Sequence, residues 1–218
     1  MKVKICGMRE LENVRDVAAL QPDYMGFIFY NKSKRYVFEK ETASQLPARP
    51  SGGRSMTLDL GEIEKVGVFV NEEPAEVIRI CKDYGLNYAQ LHGSESTEDC
   101  IAIRIKGINV IKAFSVSNEI DFEELKEYEG KVDFFLFDTK TKDHGGSGRQ
   151  FDWNLLKSYP LSTRYFLSGG IGVHDIIKII ELELPQCEGI DANSRLEIRP
   201  ALKDIEATRE LISQIRNR

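Results

Sequence analysis

Short apolar runs alternate with amphipathic stretches from one end of this chain to the other, and that alternation limits the folds open to it. Strand-like runs are expected at Val3 to Cys6, Tyr24 to Phe29, Val66 to Val70, Tyr88 to Leu91, Asn109 to Phe114, Val132 to Phe137, Tyr165 to Leu167 and Gly189 to Ala192. Helical periodicity is expected between them, at Leu11 to Leu20, Glu39 to Leu46 (weakly), Pro74 to Tyr84, Ser96 to Ile105, Phe122 to Tyr128, Trp153 to Lys157, Val173 to Glu183 and Lys203 to Ile215. A strand such as Phe134-Phe135-Leu136-Phe137 has no polar face, as befits a strand covered on both sides. About eight β–α units in series predict an α/β fold, a (β/α)8 TIM barrel. An open doubly wound sheet would need a glycine loop for phosphate in its first turn, which here holds only Cys6-Gly7. The breaker-rich stretch Pro47 to Gly61 reads as a surface excursion after a short or irregular second helix. It is not a linker, because the rhythm resumes beyond it, so residues 1–218 are expected to form one domain.

The composition narrows the chemistry. With 218 residues, 41% hydrophobic and 30% charged, the chain can bury a full core. A net charge of -5, with basic residues scattered, gives no footprint for nucleic acid. No apolar stretch is long enough to span a membrane. Cys6, Cys81, Cys100 and Cys187 lie far apart and form no CxxC, so neither a zinc site nor a disulfide framework is expected. A strand-like segment follows Met1 at once, which reads as no signal peptide and a cytoplasmic location. Small-molecule chemistry or a protein partner is expected instead.

Barrel enzymes carry their chemistry at the carboxyl ends of the strands. Here those ends read Cys6, Ser33-Lys34-Arg35, Asn71, Gln90-Leu91-His92-Gly93, Lys112-Ala113-Phe114, Asp138-Thr139, Ser168-Gly169-Gly170 and Asp191-Ala192-Asn193-Ser194. Cys6 is a base or nucleophile if its pKa is lowered, and otherwise a small core residue. Asp138 follows an aromatic run that favours a protonated carboxyl and suits a general acid; the alternative is a cap. Arg35 holds a carboxylate in two-pronged fashion, or is a solvated loop charge. His92 is a base or a structural residue beside a tight turn. Asp191 orients a substrate hydroxyl or braces its strand end. The glycine runs Gly145 to Gly148 and Gly169-Gly170, beside Asn193-Ser194, suit phosphate, since backbone N–H groups there donate without a side chain in the way.

Taken in order, these runs resemble the phosphoribosylanthranilate isomerase family over nearly the whole chain. The matching segments are Lys4-Ile5-Cys6-Gly7, Gly26-Phe27-Ile28-Phe29 with Ser33 and Arg35, Val66 to Asn71, Gln90 to Gly93 and Phe137 to Lys140. They continue with Gly145 to Gly148, Phe151-Asp152-Trp153, Leu167 to Ile171, Asp191 to Ser194 with Glu197, and Lys203-Asp204. The resemblance implies an Amadori rearrangement of N-(5-phosphoribosyl)anthranilate in tryptophan biosynthesis. It implies Asp138 as the acid and Cys6 as the base, with Arg35 on the anthranilate carboxylate and Gln90, His92 and Asp191 near the substrate. Gly146, Gly169, Gly170, Asn193 and Ser194 would hold the phosphate, with Gly145 to Gly148 as a flexible lid. No metal or cofactor is implied, because the substrate nitrogen is the electron sink, and the state could be monomer or homodimer. Two positions depart from the family: Arg195 and Ala201 stand where it usually has glycine.

Two rivals remain at this level. A metal-dependent sugar-phosphate epimerase would keep the barrel but needs histidine and aspartate ligands, and His92, His144 and His174 are poorly placed for that. A barrel that only binds its ligand predicts a missing acid or base, whereas Asp138 and Cys6 are both present.

Overall fold

In a computed structural model of the chain, residues 1–38, 60–140 and 150–217 are described. Eight parallel strands close into a barrel in chain order: β1 (Lys2–Ile5), β2 (Tyr24–Ile28), β3 (Glu64–Phe69), β4 (Tyr88–Leu91), β5 (Asn109–Val116), β6 (Phe134–Thr139), β7 (Tyr165–Leu167) and β8 (Cys187–Ala192). The seam is the β1–β8 pair, in which Lys4 lies opposite Asp191. The helices are α1 (Leu11–Ala19), α2 (Pro74–Tyr84), α3 (Thr97–Arg104), α4 (Phe122–Tyr128), α5 (Ile176–Glu181) and α6 (Ile205–Arg216). The second helix expected at Glu39 to Leu46, most of the excursion after it, and the loop Gly145 to Gly148 lie outside the described residues.

Local chemistry accounts for the elements. Helix α2 begins with Pro74 in its first turn, where a missing N–H does no harm. It buries Val77, Ile80, Cys81 and Tyr84, spaced as one helical face. Ser96 and Asp99 cap α3 reciprocally. Asp121 and Asp204 cap α4 and α6 with their carboxylates.

Strand alternation sorts the core into two layers. Met25, Phe27, Val110, Phe135, Phe137, Leu167 and Ile190 face outward and pack with the helices. Tyr24, Val66, Ile111, Phe134, Leu136 and Phe166 fill the barrel interior. Tyr24 and Phe134 each meet the Phe166 ring edge-on, with centroids 5.1 and 5.3 Å away. This aromatic plug closes the barrel beneath the carboxyl ends of the strands.

Four details depart from the sequence expectations. Trp153–Ser158 winds as a 3-10 helix, and Val173–Asp175 is a 3-10 turn leading into the shorter α5. A short hairpin, β9 (Glu197–Arg199) and β10 (Leu202–Lys203), follows β8. Lys203, expected to open the last helix, therefore belongs to β10.

Candidate active site

The same alternation that places Tyr24, Phe134, Leu136 and Phe166 inside the barrel carries Lys4, Cys6, Gly26, Gln90, His92, Asp138, Ser168 and Asp191 to its inner, carboxyl-end side. Most of the expected residues converge there.

Around β1, Cys6 is 4% exposed and its N–H donates to the Ala192 carbonyl at 2.9 Å. Gly26, on β2, makes room for the thiol: a Cβ there would stand 2.6 Å from the Cys6 sulfur. Lys4 is wholly buried, with Nζ 2.7 Å from Asp191 Oδ1. The Ser168 hydroxyl donates to Asp191 Oδ2 at 3.1 Å. Burial works against the Lys4 charge, but Asp191 and the Cys6 sulfur outweigh it, and the ammonium is held more firmly than in an ordinary lysine. Burial pushes the Cys6 thiol above its ordinary value; Lys4 and Lys203 pull it down and Asp191 pushes it up. Burial thus outweighs the cations around this thiol.

Across the mouth, Asp138 accepts the Thr139 N–H at 2.8 Å and faces His92, with Oδ2 3.5 Å from Nε2. Gln90 Nε2 lies 2.8 Å from His92 Nδ1. With the amide donating, Nδ1 is the acceptor and the ring proton sits on Nε2, directed at Asp138. The aromatic run before Asp138 thus does not make its carboxylate apolar in surroundings, since Phe135 and Phe137 point outward and polar partners meet the oxygens. Gly169 lets β7 pass close by. Its φ is +93°, and a Cβ there would collide with Thr139 and come 3.2 Å from Asp138 Oδ1.

Arg35 lies in the turn after β2, but its fork is occupied. Nε donates to Glu197 Oε1 at 2.8 Å and a terminal nitrogen to Oε2 at 2.6 Å. Glu197 Oε1 also accepts from Lys203 Nζ at 2.9 Å and the Ala201 N–H at 3.1 Å. Burial would raise the Glu197 carboxyl, yet Arg35 and Lys203 hold it below the usual range. Burial pulls Lys203 down to about 8 against the attraction of Glu197, with a smaller push in the same direction from the neighbouring Arg35 charge. Lys203 further donates to Asn193 Oδ1 at 2.7 Å.

The expected phosphate residues lie at the ends of β7 and β8. Gly170 follows Gly169 and accepts from Gln150 at 2.9 Å through its carbonyl. Asn193 leads into a 3-10 turn, Ser194–Leu196. Gly146 is outside the described residues. Arg195 is exposed and its Cβ sits beside Gly172, while Ala201 adopts φ +66°, the left-handed region that glycine favours. Lys4, Glu197, Lys203 and Gly26 carried no assigned role in the sequence reading. A charged residue between Val3 and Ile5 in a strand buried on both faces was the signal for Lys4. Among the described residues, no group of three or more His, Cys, Asp or Glu could hold a metal ion.

The model of N-(5'-phosphoribosyl)anthranilate (PRA) isomerase matches residues 3–214. The chain belongs to the phosphoribosylanthranilate isomerase family. It is an isomerase of tryptophan biosynthesis. A curated relative from Parabacteroides distasonis, named N-(5'-phosphoribosyl)anthranilate isomerase, is 44% identical over 215 residues, covering 99% of this chain and 93% of the relative. The solved phosphoribosyl anthranilate isomerase from Thermotoga maritima is 34% identical, with a TM-score of 0.81 and both chains fully covered. A solved isomerase in complex with reduced 1-(o-carboxyphenylamino)-1-deoxyribulose 5-phosphate is 30% identical, with a TM-score of 0.76 and full coverage of both chains.

Proposed function

We propose that the chain, acting as one domain over residues 1–218, converts N-(5'-phosphoribosyl)anthranilate to 1-(o-carboxyphenylamino)-1-deoxyribulose 5-phosphate by acid–base catalysis with no metal or cofactor. The observation that carries this reading is the arrival of Cys6 and Asp138 on one inner rim beside a glycine-rich β7 end. The reduced product-like ligand of the solved family member supports the choice of substrate.

Asp138, as the carboxylic acid, gives a proton to the furanose ring oxygen. The C1–O bond breaks while the anilino nitrogen lone pair forms C1=N. The Cys6 thiolate then takes the C2 proton; the C2–H electrons form C1=C2 while the C1=N pair returns to nitrogen, giving the enolamine. Protonation at C1 and loss of the C2 hydroxyl proton yield the ketone. Atoms and electrons balance without a co-reactant. His92 holds the Asp138 carboxylate after it has lost its proton. Gly169, Gly170, Asn193, Ser194 and Gly146 hold the phosphate. Arg35 receives the anthranilate carboxylate by exchanging one arm of its fork from Glu197. The four free cysteines accord with a reducing, cytoplasmic setting.

The test is turnover of N-(5'-phosphoribosyl)anthranilate generated in situ, followed by loss of anthranilate fluorescence in excess EDTA. The reading expects turnover that the chelator does not change. No turnover by folded protein, or turnover restored only by added metal, would overturn it.

A further inference from the structure

We propose that Lys4 is a positioning residue of the isomerase reaction: its buried ammonium, tethered to Asp191, is the counter-ion for the charge on the Cys6 sulfur while that sulfur takes the C2 proton. The inference rests on the reading of Cys6 as the base.

The geometry is specific. Cys6 follows β1 directly, two residues beyond Lys4, and its N–H still pairs with the Ala192 carbonyl, so both side chains share the inward face. Lys4 has no exposure, and water cannot solvate its charge. One oxygen of Asp191 takes the ammonium at 2.7 Å, and the other takes the Ser168 hydroxyl at 3.1 Å. An ammonium has three donor hydrogens, and Asp191 takes one of them, so the buried charge stands beside the thiol with donors to spare. Gly26 closes the sulfur in from β2, only 2.6 Å from where a Cβ would be.

The charged groups around the sulfur come from four directions. Lys4 lies on its own strand, Asp191 on β8, Lys203 on β10 and Arg35 after β2. Arg35 and Lys203 are both turned onto Glu197, whereas Lys4 is not and has the largest pull of the cations on the thiol.

The test titrates the Cys6 thiolate by its ultraviolet absorbance in the full chain, with Cys6→Ser subtracted to remove the other three cysteines, alongside the pH profile of kcat. In Lys4→Met, both should move alkaline by about one pH unit, which is about tenfold less thiolate and tenfold lower kcat at neutral pH. KM should change little, and Lys4→Arg should restore the profile. If Lys4→Met does not fold, Lys4→Met with Asp191→Asn leaves no unpaired buried charge. It should shift the same way, since Lys4 is the larger influence on the sulfur. A folded variant with an unmoved Cys6 titration would overturn the proposal and leave Lys4 a structural clasp. Full activity in Cys6→Ser, where Lys4 is intact, would instead remove the base on which the proposal rests.

Discussion

Arg35 lays two nitrogens of its guanidinium on the two oxygens of Glu197, at 2.8 and 2.6 Å, across 162 residues of chain. The pair joins the turn after β2 to the hairpin after β8, and both side chains are largely buried, at 12% and 4% exposure. Glu197→Ala would strand Arg35 and Lys203 without their anion. Breaking a buried pair in this way costs about 3–5 kcal/mol. Urea denaturation should show a loss of that order, and a loss below about 1 kcal/mol would mean that water already screens the network.

Cys6 depends on the missing side chain of Gly26. In Gly26→Ala the new methyl would sit 2.6 Å from the sulfur and push it from its place. A displacement of about 1 Å at a reacting atom costs about 100-fold in rate. Steady-state kinetics should show kcat falling by about that factor, with far less change in KM. An unchanged kcat would remove Cys6 from the chemistry.

Rate and stability should respond to pH in opposite directions. Burial holds the Cys6 thiol above its ordinary value, so the thiol form is the resting state at neutral pH. The thiolate fraction then grows as pH rises, and kcat should climb through the alkaline range until the protein unfolds. The same group binds its proton more tightly when folded. Its contribution to stability is full below the unfolded value of 9.0 and is lost as pH rises above it. A kcat that is flat from neutral pH upward would contradict this.

The interior plug should be separable from catalysis. Phe166 is fully buried against Tyr24 and Phe134, below the polar rim. Phe166→Ala should cost about 3–5 kcal/mol, read by thermal or urea unfolding. A cost under about 1 kcal/mol would mean that the barrel interior collapses around the gap.

The strands were legible because a strand covered on both faces leaves a dense apolar run, and all eight expected runs lie on barrel strands. The inward set at the carboxyl ends follows from the two-residue period once the strands are placed. Other features depend on contacts distant in sequence. The Arg35–Glu197 pair leaves no local signal. The hairpin Glu197 to Lys203 is too short for a pattern, with Ile198 exposed and Ala201 left-handed at its turn. Lys203 was read with α6 because a charged residue beside Asp204, the true cap, looks like a helix start. The 3-10 form of Trp153–Ser158 carries the same amphipathic spacing as a short α-helix. The shift of the Cys6 thiol depends on burial, which a lone cysteine in a sequence does not reveal.

The most direct measurement compares wild type, Asp138→Asn and Cys6→Ser on N-(5'-phosphoribosyl)anthranilate, with EDTA present and binding measured separately. Each substitution removes one proton-transfer group and little of the binding surface. Loss of a positioned acid or base costs about 10²–10⁴-fold. The account predicts kcat falling into that range in both variants, with ligand affinity within about threefold of wild type. Either variant turning over at the wild-type rate would contradict the assignment of Asp138 as acid and Cys6 as base.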